Sequence, residues 1–414
     1  MKPKYFYGNN IVAASFVIQG VSIGMVFTYG VFFKEFLAEF GWSRAVISGA
    51  SSMNFLITGM FGIFAGRLND KTGPRVIVMA AGILLGLCYI LMSSLHATWH
   101  LYLLYGVLAG MGIATNDIVT MSTMARWFVR RRGSMTGIVK VGTGFGQLAI
   151  PLIASTLIAV YGWRSSYLIL GTMVFVVLLL FAQVMRRDPQ AMGLLPDGAS
   201  AETWNKGTES TESGISLKAA ALTMQFWALC LAKLAALFCL LTVVVHIVPH
   251  AIDLGLPPAT AAGVIAAIGG VSMVGRFLMG VASDWIGWKR SLIISFIFLI
   301  CCLIWIQMAN KTWMLFIFAI IYAFAHGGIY TVMSPAVAEL FGTRSHGVIY
   351  GIVMFGGSIG GAIGPLLAGH IFDVTGSYRI AFLLLTVMAV IGLMLITLLR
   401  PLSDTVRETT TPGG

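Results

Sequence analysis

Four formally charged side chains interrupt long apolar runs of this 414-residue sequence: Asp117, Lys140, Lys233 and Arg276. The planar guanidinium of Arg276, in "GVSMVGRFLMGVASD", suits a carboxylate held through two parallel hydrogen bonds, or else an internal ion pair. Asp117 is the one carboxylate of the set. It is a candidate for reversible proton binding, or alternatively for a buried structural pair with Lys140. Lys140 is flanked at helical spacing by Thr136, Gly137, Thr143, Gly144 and Gln147, a small polar face that fits a cavity lining and a second charge for attracting an anion. Lys233 stands open between a cavity charge and a cation resting on backbone carbonyls. One negative charge against three positive ones leaves +2, a sign that favours an anionic ligand over a cationic or neutral one.

The elements that must position these charges are membrane helices. A chain of this length that is 58% hydrophobic and 10% charged, with a mean hydropathy of +0.91, is no water-soluble domain. Its apolar runs have the length of helical spans, not the short alternation of a barrel strand. The expected spans are 11–33, 45–66, 76–95, 101–125, 134–160, 166–185, 222–248, 259–282, 291–308, 313–337, 347–371 and 379–399, twelve in all. A charge at the centre of such a span costs about 2.5–3.5 kcal/mol, which makes each of the four a functional candidate by default. Arg276 lies about eight residues, or about 12 Å, from the near end of its helix, counted to Asp284, too deep to reach the headgroups.

The first span is too long for a signal peptide and reads as an uncleaved helix. With the N-terminus inside, eighteen lysines and arginines fall in cytoplasmic segments against five outside, which puts both termini in the cytoplasm. The net charge of +11 reports this topology, and no nucleic-acid partner is expected. Cys88, Cys230, Cys239, Cys301 and Cys302 all lie inside spans, without disulfide or metal spacing, and read as packing residues. His246, His250 and His326 read first as hydrogen-bonded structural histidines, with proton carriage the alternative.

One long polar stretch, residues 186 to 218, joins two six-span halves. The implied organisation is a bundle over 1–187, a cytoplasmic linker over 188–217, a second bundle over 218–400 and a cytoplasmic tail over 401–414. The halves superpose at a constant offset of 214: Gly66, Asp70, Gly73, Gly133, Gly137, Gly142, Gly146, Pro151 and Gly162 fall on Gly280, Asp284, Gly287, Gly347, Gly351, Gly356, Gly360, Pro365 and Gly376. Nine coincidences at one offset mark a duplicated unit. The same offset sets Asn116 on Tyr330, two hydrogen-bonding side chains at equal depth on opposite sides of a midplane site; interhelical bonding and packing are the alternatives.

The whole chain resembles a major facilitator superfamily transporter. The loop signature of that family, a glycine, an aspartate four residues on, a glycine three further and then basic residues, is met by Gly66, Asp70, Lys71, Gly73 and Arg75, and more weakly by Gly280, Asp284, Gly287, Lys289 and Arg290. These residues imply a contact that forms and breaks as the halves rock, with the aspartate near a helix end and paired to an arginine. "ARWFVRRRGSMTGIVKVGTGFGQ", "DPQAMGLLPDG" and "GRFLMG" are further similar to bacterial members of the monocarboxylate transporter and oxalate/formate antiporter group.

This narrower resemblance implies an all-α protein of two pseudo-symmetric six-helix bundles that moves small monocarboxylates such as lactate or pyruvate by alternating access, with a proton. Arg276 falls on the carboxylate ligand, and Tyr29 on a further cavity residue. Two departures matter. The eukaryotic porters carry an aspartate four residues before the arginine, where this chain has Ser272, so their proton arrangement does not transfer. The exchangers carry a second cation in the eleventh span, where residues 347–371 hold no lysine or arginine and His370 lies at the outer end. Anion exchange without net proton movement is the alternative function, and an anion sensor a more distant one. No nucleotide loop, metal cluster or nucleophile arrangement points to an enzyme, no cofactor or obligate protein partner is implied, and a bacterial inner membrane is the expected location.

Overall fold

A computed structural model describes residues 6–200 and 214–400. Eleven of its helices are long and apolar enough to cross a membrane. One of them, Arg132–Val184, has 53 residues and breaks at Gly162, whose φ of 74° and ψ of 164° no helix accommodates. A left-handed φ is open to glycine at no steric cost, so Gly162 ends one span and starts the next, and the total is twelve. In chain order the helices are α1 (Gly8–Phe40), α2 (Arg44–Thr72), α3 (Pro74–Met92), α4 (Thr98–Trp127), α5 (132–161), α6 (163–184), α7 (Met224–Asp253), α8 (Pro258–Ile286), α9 (Trp288–Ile306), α10 (Thr312–Phe341), α11 (His346–Thr375) and α12 (Arg379–Leu398). The tail 401–414, the linker centre 201–213, and Lys2, Lys4, Lys206 and Arg407, all used in the topology argument, lie outside the described residues.

Several helices outrun the apolar windows that announced them. Residues 45–66 end at Gly66, but α2 continues to Thr72; residues 259–282 likewise stop short of the end of α8 at Ile286. Polar last turns keep their backbone hydrogen bonds after hydrophobicity fades, so hydropathy marks the hydrocarbon-facing part of a helix rather than its ends. Asp70 and Asp284 are therefore on the last helical turns, not in a loop. Gly73 and Gly287, with φ of 82° and 86°, supply the stop. The lower end of α8 is thus ten residues beyond Arg276 instead of about eight.

Glycine sets the closest helix pairs. α1 lies against α5 so tightly that a Cβ on Gly146 would come within 1.8 Å of the Gly20 carbonyl oxygen, and α11 lies against α7 at Gly360 and the Leu234 carbonyl, 2.1 Å by the same measure. Two further pairs, α2 with α11 and α5 with α8, join the first six helices to the last six. Without a hydrophobic drive between helices in lipid, such small-residue contacts carry the association. Large apolar side chains such as Phe64, Leu152 and Leu366 remain exposed on the outer surface, where acyl chains would cover them.

The "DPQAMGLLPDG" segment also has a structural task. Asp197 accepts hydrogen bonds from the backbone N–H groups of Val129, Arg130 and Arg131 at 3.0, 2.8 and 3.3 Å, which clamps the linker onto the turn between α4 and α5.

Candidate functional site

Asn116 and Asp117 are consecutive on α4, yet both are served from one face of α1, because Gln19 and Ser22 stand three residues apart there. Asn116 Nδ2 donates to Ser22 Oγ at 2.6 Å. Gln19 Nε2 donates to Asp117 Oδ1 and to Thr120 Oγ1, each at 2.7 Å, and its Oε1 accepts from Thr143 on α5 at 3.1 Å. Lys140, also on α5, donates from Nζ to the same Oδ1 of Asp117, so the ion pair foreseen as one alternative is formed. Tyr350, on α11, faces Asp117 from the other half.

The remaining two cations have no carboxylate. Arg276 is 2% exposed; its Nη1 donates to the Lys140 carbonyl oxygen at 3.0 Å, and its Nε has no partner. Gly144 makes that approach possible, since a Cβ there would lie 2.8 Å from Nη1. Lys233, on α7, is 0% exposed, and its Nζ has no hydrogen-bond partner. It lies 4.5 Å from the ring centroid of Tyr330, a cation–π contact, while Arg276 is an electrostatic neighbour of the same tyrosine. His326, one turn before Tyr330 on α10, lies beside it with the rings tilted by 41° and their centroids 4.8 Å apart, and its Nδ1 is unpartnered.

The structure therefore brings Asp117, Lys140, Arg276 and Tyr330 into one largely buried cluster, with Asn116, on α4, at its edge beside α1. It does not bring Tyr29 there. The Tyr29 hydroxyl donates to the Ile47 carbonyl at 2.7 Å, and its ring stacks on Tyr105 at 3.9 Å, as a packing residue would. Ten residues, or about 15 Å of helix, separate Tyr29 from Gln19. Gln19 and Ser22 escaped the reading of formal charges. The repeat holds a signal that could have found Gln19, because the offset of 214 sets it on Lys233.

Below the cluster, on the side of Asp70 and Asp284, the two halves are sealed. Asp70 accepts from the backbone N–H of Gly347 and of Val348, each at 3.1 Å, at the start of α11. Asp284 accepts from the N–H of Gly133 at 2.6 Å and of Ser134 at 2.8 Å, at the start of α5. Each aspartate thus caps the N-terminus of a helix from the opposite half, where the free amides and the helix dipole favour negative charge. The expected arginine partner exists for one copy only: Arg126 donates to Asp70 at 2.7 Å, whereas the offset places Leu340 opposite Asp284, which takes the Ser134 hydroxyl at 2.5 Å instead. Gly66 lies against the Gly347 carbonyl and Gly280 against that of Gly133, so the backbones themselves touch. Arg132 adds a 2.6 Å bond across the halves to Glu339, and Arg75 reaches Gln183 on α6. Outside the seal is a hollow of about 920 Å³ in which Arg67, Lys71, Arg126, Arg187, Lys218 and Arg344 outnumber Asp70 and Asp188.

Two similar halves, crossed by reciprocal aspartate caps around a buried charge cluster, form the frame of one known class of membrane protein, and the sequence profile of the Major Facilitator Superfamily matches residues 15–310 and 291–414. The chain belongs to the Major Facilitator Superfamily. It is a multi-pass membrane transporter and not an enzyme. Among its relatives, monocarboxylate transporter 13 of Rattus norvegicus is 29% identical over 386 residues, covering 91% of this chain and 85% of that protein. Monocarboxylate transporter 11 of Homo sapiens is 27% identical over 391 residues, covering 91% and 80%. In fold, the chain is similar to the Escherichia coli fucose:proton symporter, with a TM-score of 0.71 at 14% identity over 94% of this chain and 97% of that one. Among the described residues, no group of three or more His, Cys, Asp or Glu could hold a metal ion.

Proposed function

We propose that this transporter carries small monocarboxylate anions of the lactate and pyruvate type by alternating access, together with a proton. The observation that supports this most is the guanidinium of Arg276, buried at the junction of the halves with Nε unpartnered and only a backbone carbonyl on Nη1. A buried cation without a counter-charge is costly, and a carboxylate would satisfy it through paired charge-assisted hydrogen bonds. Tyr330 is positioned to contact the same ligand, and Asn116 and Lys140 border it. The names of the relatives point to the same substrate class. The basic hollow beside Asp70 and Asp284 supports a cytoplasmic position for that face, since lysine and arginine are in excess on the cytoplasmic side of membrane proteins.

In this mechanism, the anion neutralises Arg276 and a proton is taken up at Asp117, where Lys140, Gln19 and Tyr350 converge. Closure over an empty site would bury uncompensated positive charge, which couples rocking of the halves to cargo. A second reading, exchange of organic anions without net proton movement, draws support from Lys233, a second unpaired cation that a dianion would neutralise.

Uptake of labelled lactate into proteoliposomes separates them. Accumulation driven by an inward proton gradient supports symport, acceleration only by internal anion supports exchange, and binding without flux would mean an anion sensor.

A further inference from the structure

The hollow of about 920 Å³ outside the Asp70 seal has no task in the transport mechanism proposed above, and its walls come from both halves. Arg67, Lys71 and Arg126 line it from the ends of α2 and α4, Arg187 from the segment after α6, Lys218 from the segment before α7, and Arg344 from the turn between α10 and α11. Its two carboxylates are already engaged. Asp70 holds Arg126 and the first amides of α11, and Asp188 pairs with Arg187 at 3.7 Å and accepts from the Ala191 N–H at 2.9 Å. That leaves four exposed cations, Arg67 and Lys71 from the first half and Lys218 and Arg344 from the second, and none of them has an ion pair among the described residues.

The general excess of lysine and arginine on cytoplasmic faces accounts for basic residues at this end, but not for their convergence on one concavity from both halves. Brought together where the halves meet, like charges repel, and water and salt only weaken that repulsion. An anion seated among them turns the repulsion into a bridge, so its binding and closure of the Asp70 side favour each other. The donors point to phosphate: two arginines offer planar forks that match its oxygens in pairs, and two lysines add point charges. Four unpaired cations suit more than one negative charge. The volume lies within the range of small-ligand sites, about 300–1,000 Å³, which leaves room for the organic part of a phosphate ester.

We propose that this hollow is a regulatory anion site, distinct from the transport cluster, that takes a multiply charged phosphate compound and, by bridging Arg67 and Lys71 to Lys218 and Arg344, holds the Asp70 side closed. The phosphate belongs to a soluble ester or to a lipid headgroup, and the site is independent of which substrate is carried.

The test uses the purified full-length protein in neutral detergent, with pyrophosphate as the probe, and two double variants. Arg67→Gln with Arg344→Gln removes one cation from each half; Arg130→Gln with Arg131→Gln, the control, changes exposed arginines at the same end of the bundle that do not line the hollow. In isothermal titration calorimetry at constant ionic strength, the hollow variant should bind pyrophosphate at least about tenfold more weakly than the parent, the scale of one lost hydrogen bond between charged groups, and the control within about twofold of it. Hydrogen exchange gives a second readout: pyrophosphate should slow the Gly347 and Val348 amides, which the seal protects, in the parent and the control but not in the hollow variant. Lys71→Gln with Lys218→Gln repeats the comparison should the arginine variant melt lower than the parent. Phosphatidylcholine nanodiscs with and without phosphatidic acid identify the source: displacement of pyrophosphate by phosphatidic acid, with the same slowed amides, assigns a lipid headgroup, and undisturbed pyrophosphate binding assigns a soluble phosphate. Absence of any effect of pyrophosphate and of phosphatidic acid, equal weakening in the hollow and control variants, or binding that leaves both amides unchanged overturns the proposal.

Discussion

Arg276 Nη1 on α8 donates to the carbonyl oxygen of Lys140 on α5 at 3.0 Å, and the side chain of that same Lys140 holds Asp117 on α4. One guanidinium thus ties the second half of the protein to the residue that organises the charge pair of the first. A ligand that draws the guanidinium away alters the contact between the halves directly, through one side chain and one carbonyl.

Arg276→Lys should lower lactate affinity by at least about tenfold, since a lysine cannot keep the Lys140 carbonyl and offer a two-pronged donor at once; a hydrogen bond to a charged group is worth about 1.5–3 kcal/mol. Calorimetric titration of the purified variant checks this. Unchanged affinity would make Arg276 only a tie between the halves.

Asp117→Asn leaves Lys140 buried, at 4% exposed, without its carboxylate, and should destabilise the protein by about 3–5 kcal/mol. Asp117→Asn combined with Lys140→Met should recover most of that in thermal unfolding. If Asp117 takes the transported proton, the double variant retains lactate counterflow but no longer accumulates lactate under an inward proton gradient. Persistence of gradient-driven accumulation would place the proton elsewhere.

The two capping aspartates are expected to differ in weight. Asp70→Asn weakens a helix cap and also strips the partner from Arg126, whose side chain is 6% exposed, while Asp284→Asn leaves no such arginine behind. Asp284→Asn should cost about 1 kcal/mol, in the range of a lost cap, and Asp70→Asn about 3 kcal/mol or more. Melting temperatures of the two variants side by side decide; equal losses would show that the Arg126 pair contributes nothing.

Tyr29→Phe removes only the hydroxyl bonded to the Ile47 carbonyl and should cost about 1 kcal/mol of stability with no change in lactate affinity. A fall in affinity at unchanged stability would return Tyr29 to the transport site.

Much of this protein is legible in its residues before any folding. Hydropathy over windows of about twenty residues locates the spans, because insertion into hydrocarbon depends on a local sum. Depth along a span follows from counting, which puts Asp117 and Lys140 at similar depth, and the offset of 214 sets Asn116 against Tyr330. The duplicated signature around Asp70 and Asp284 reveals two halves, since a repeat survives in spacing alone. Rotation about the helix axis is another matter. Whether Lys140 turns to Asp117, whether Lys233 finds a carboxylate or only the ring of Tyr330, and whether Tyr29 faces the cluster or stacks on Tyr105 are decided by how each helix rolls against neighbours distant in sequence. That roll is set by backbone contacts at residues such as Gly20 with Gly146, Gly66 with Gly347 and Gly133 with Gly280. The sequence determined the spans, the depths of their charges and the twofold plan. Only the tertiary structure decided which buried charges find a counter-charge and which do not, because pairing depends on contacts between segments that no local pattern encodes.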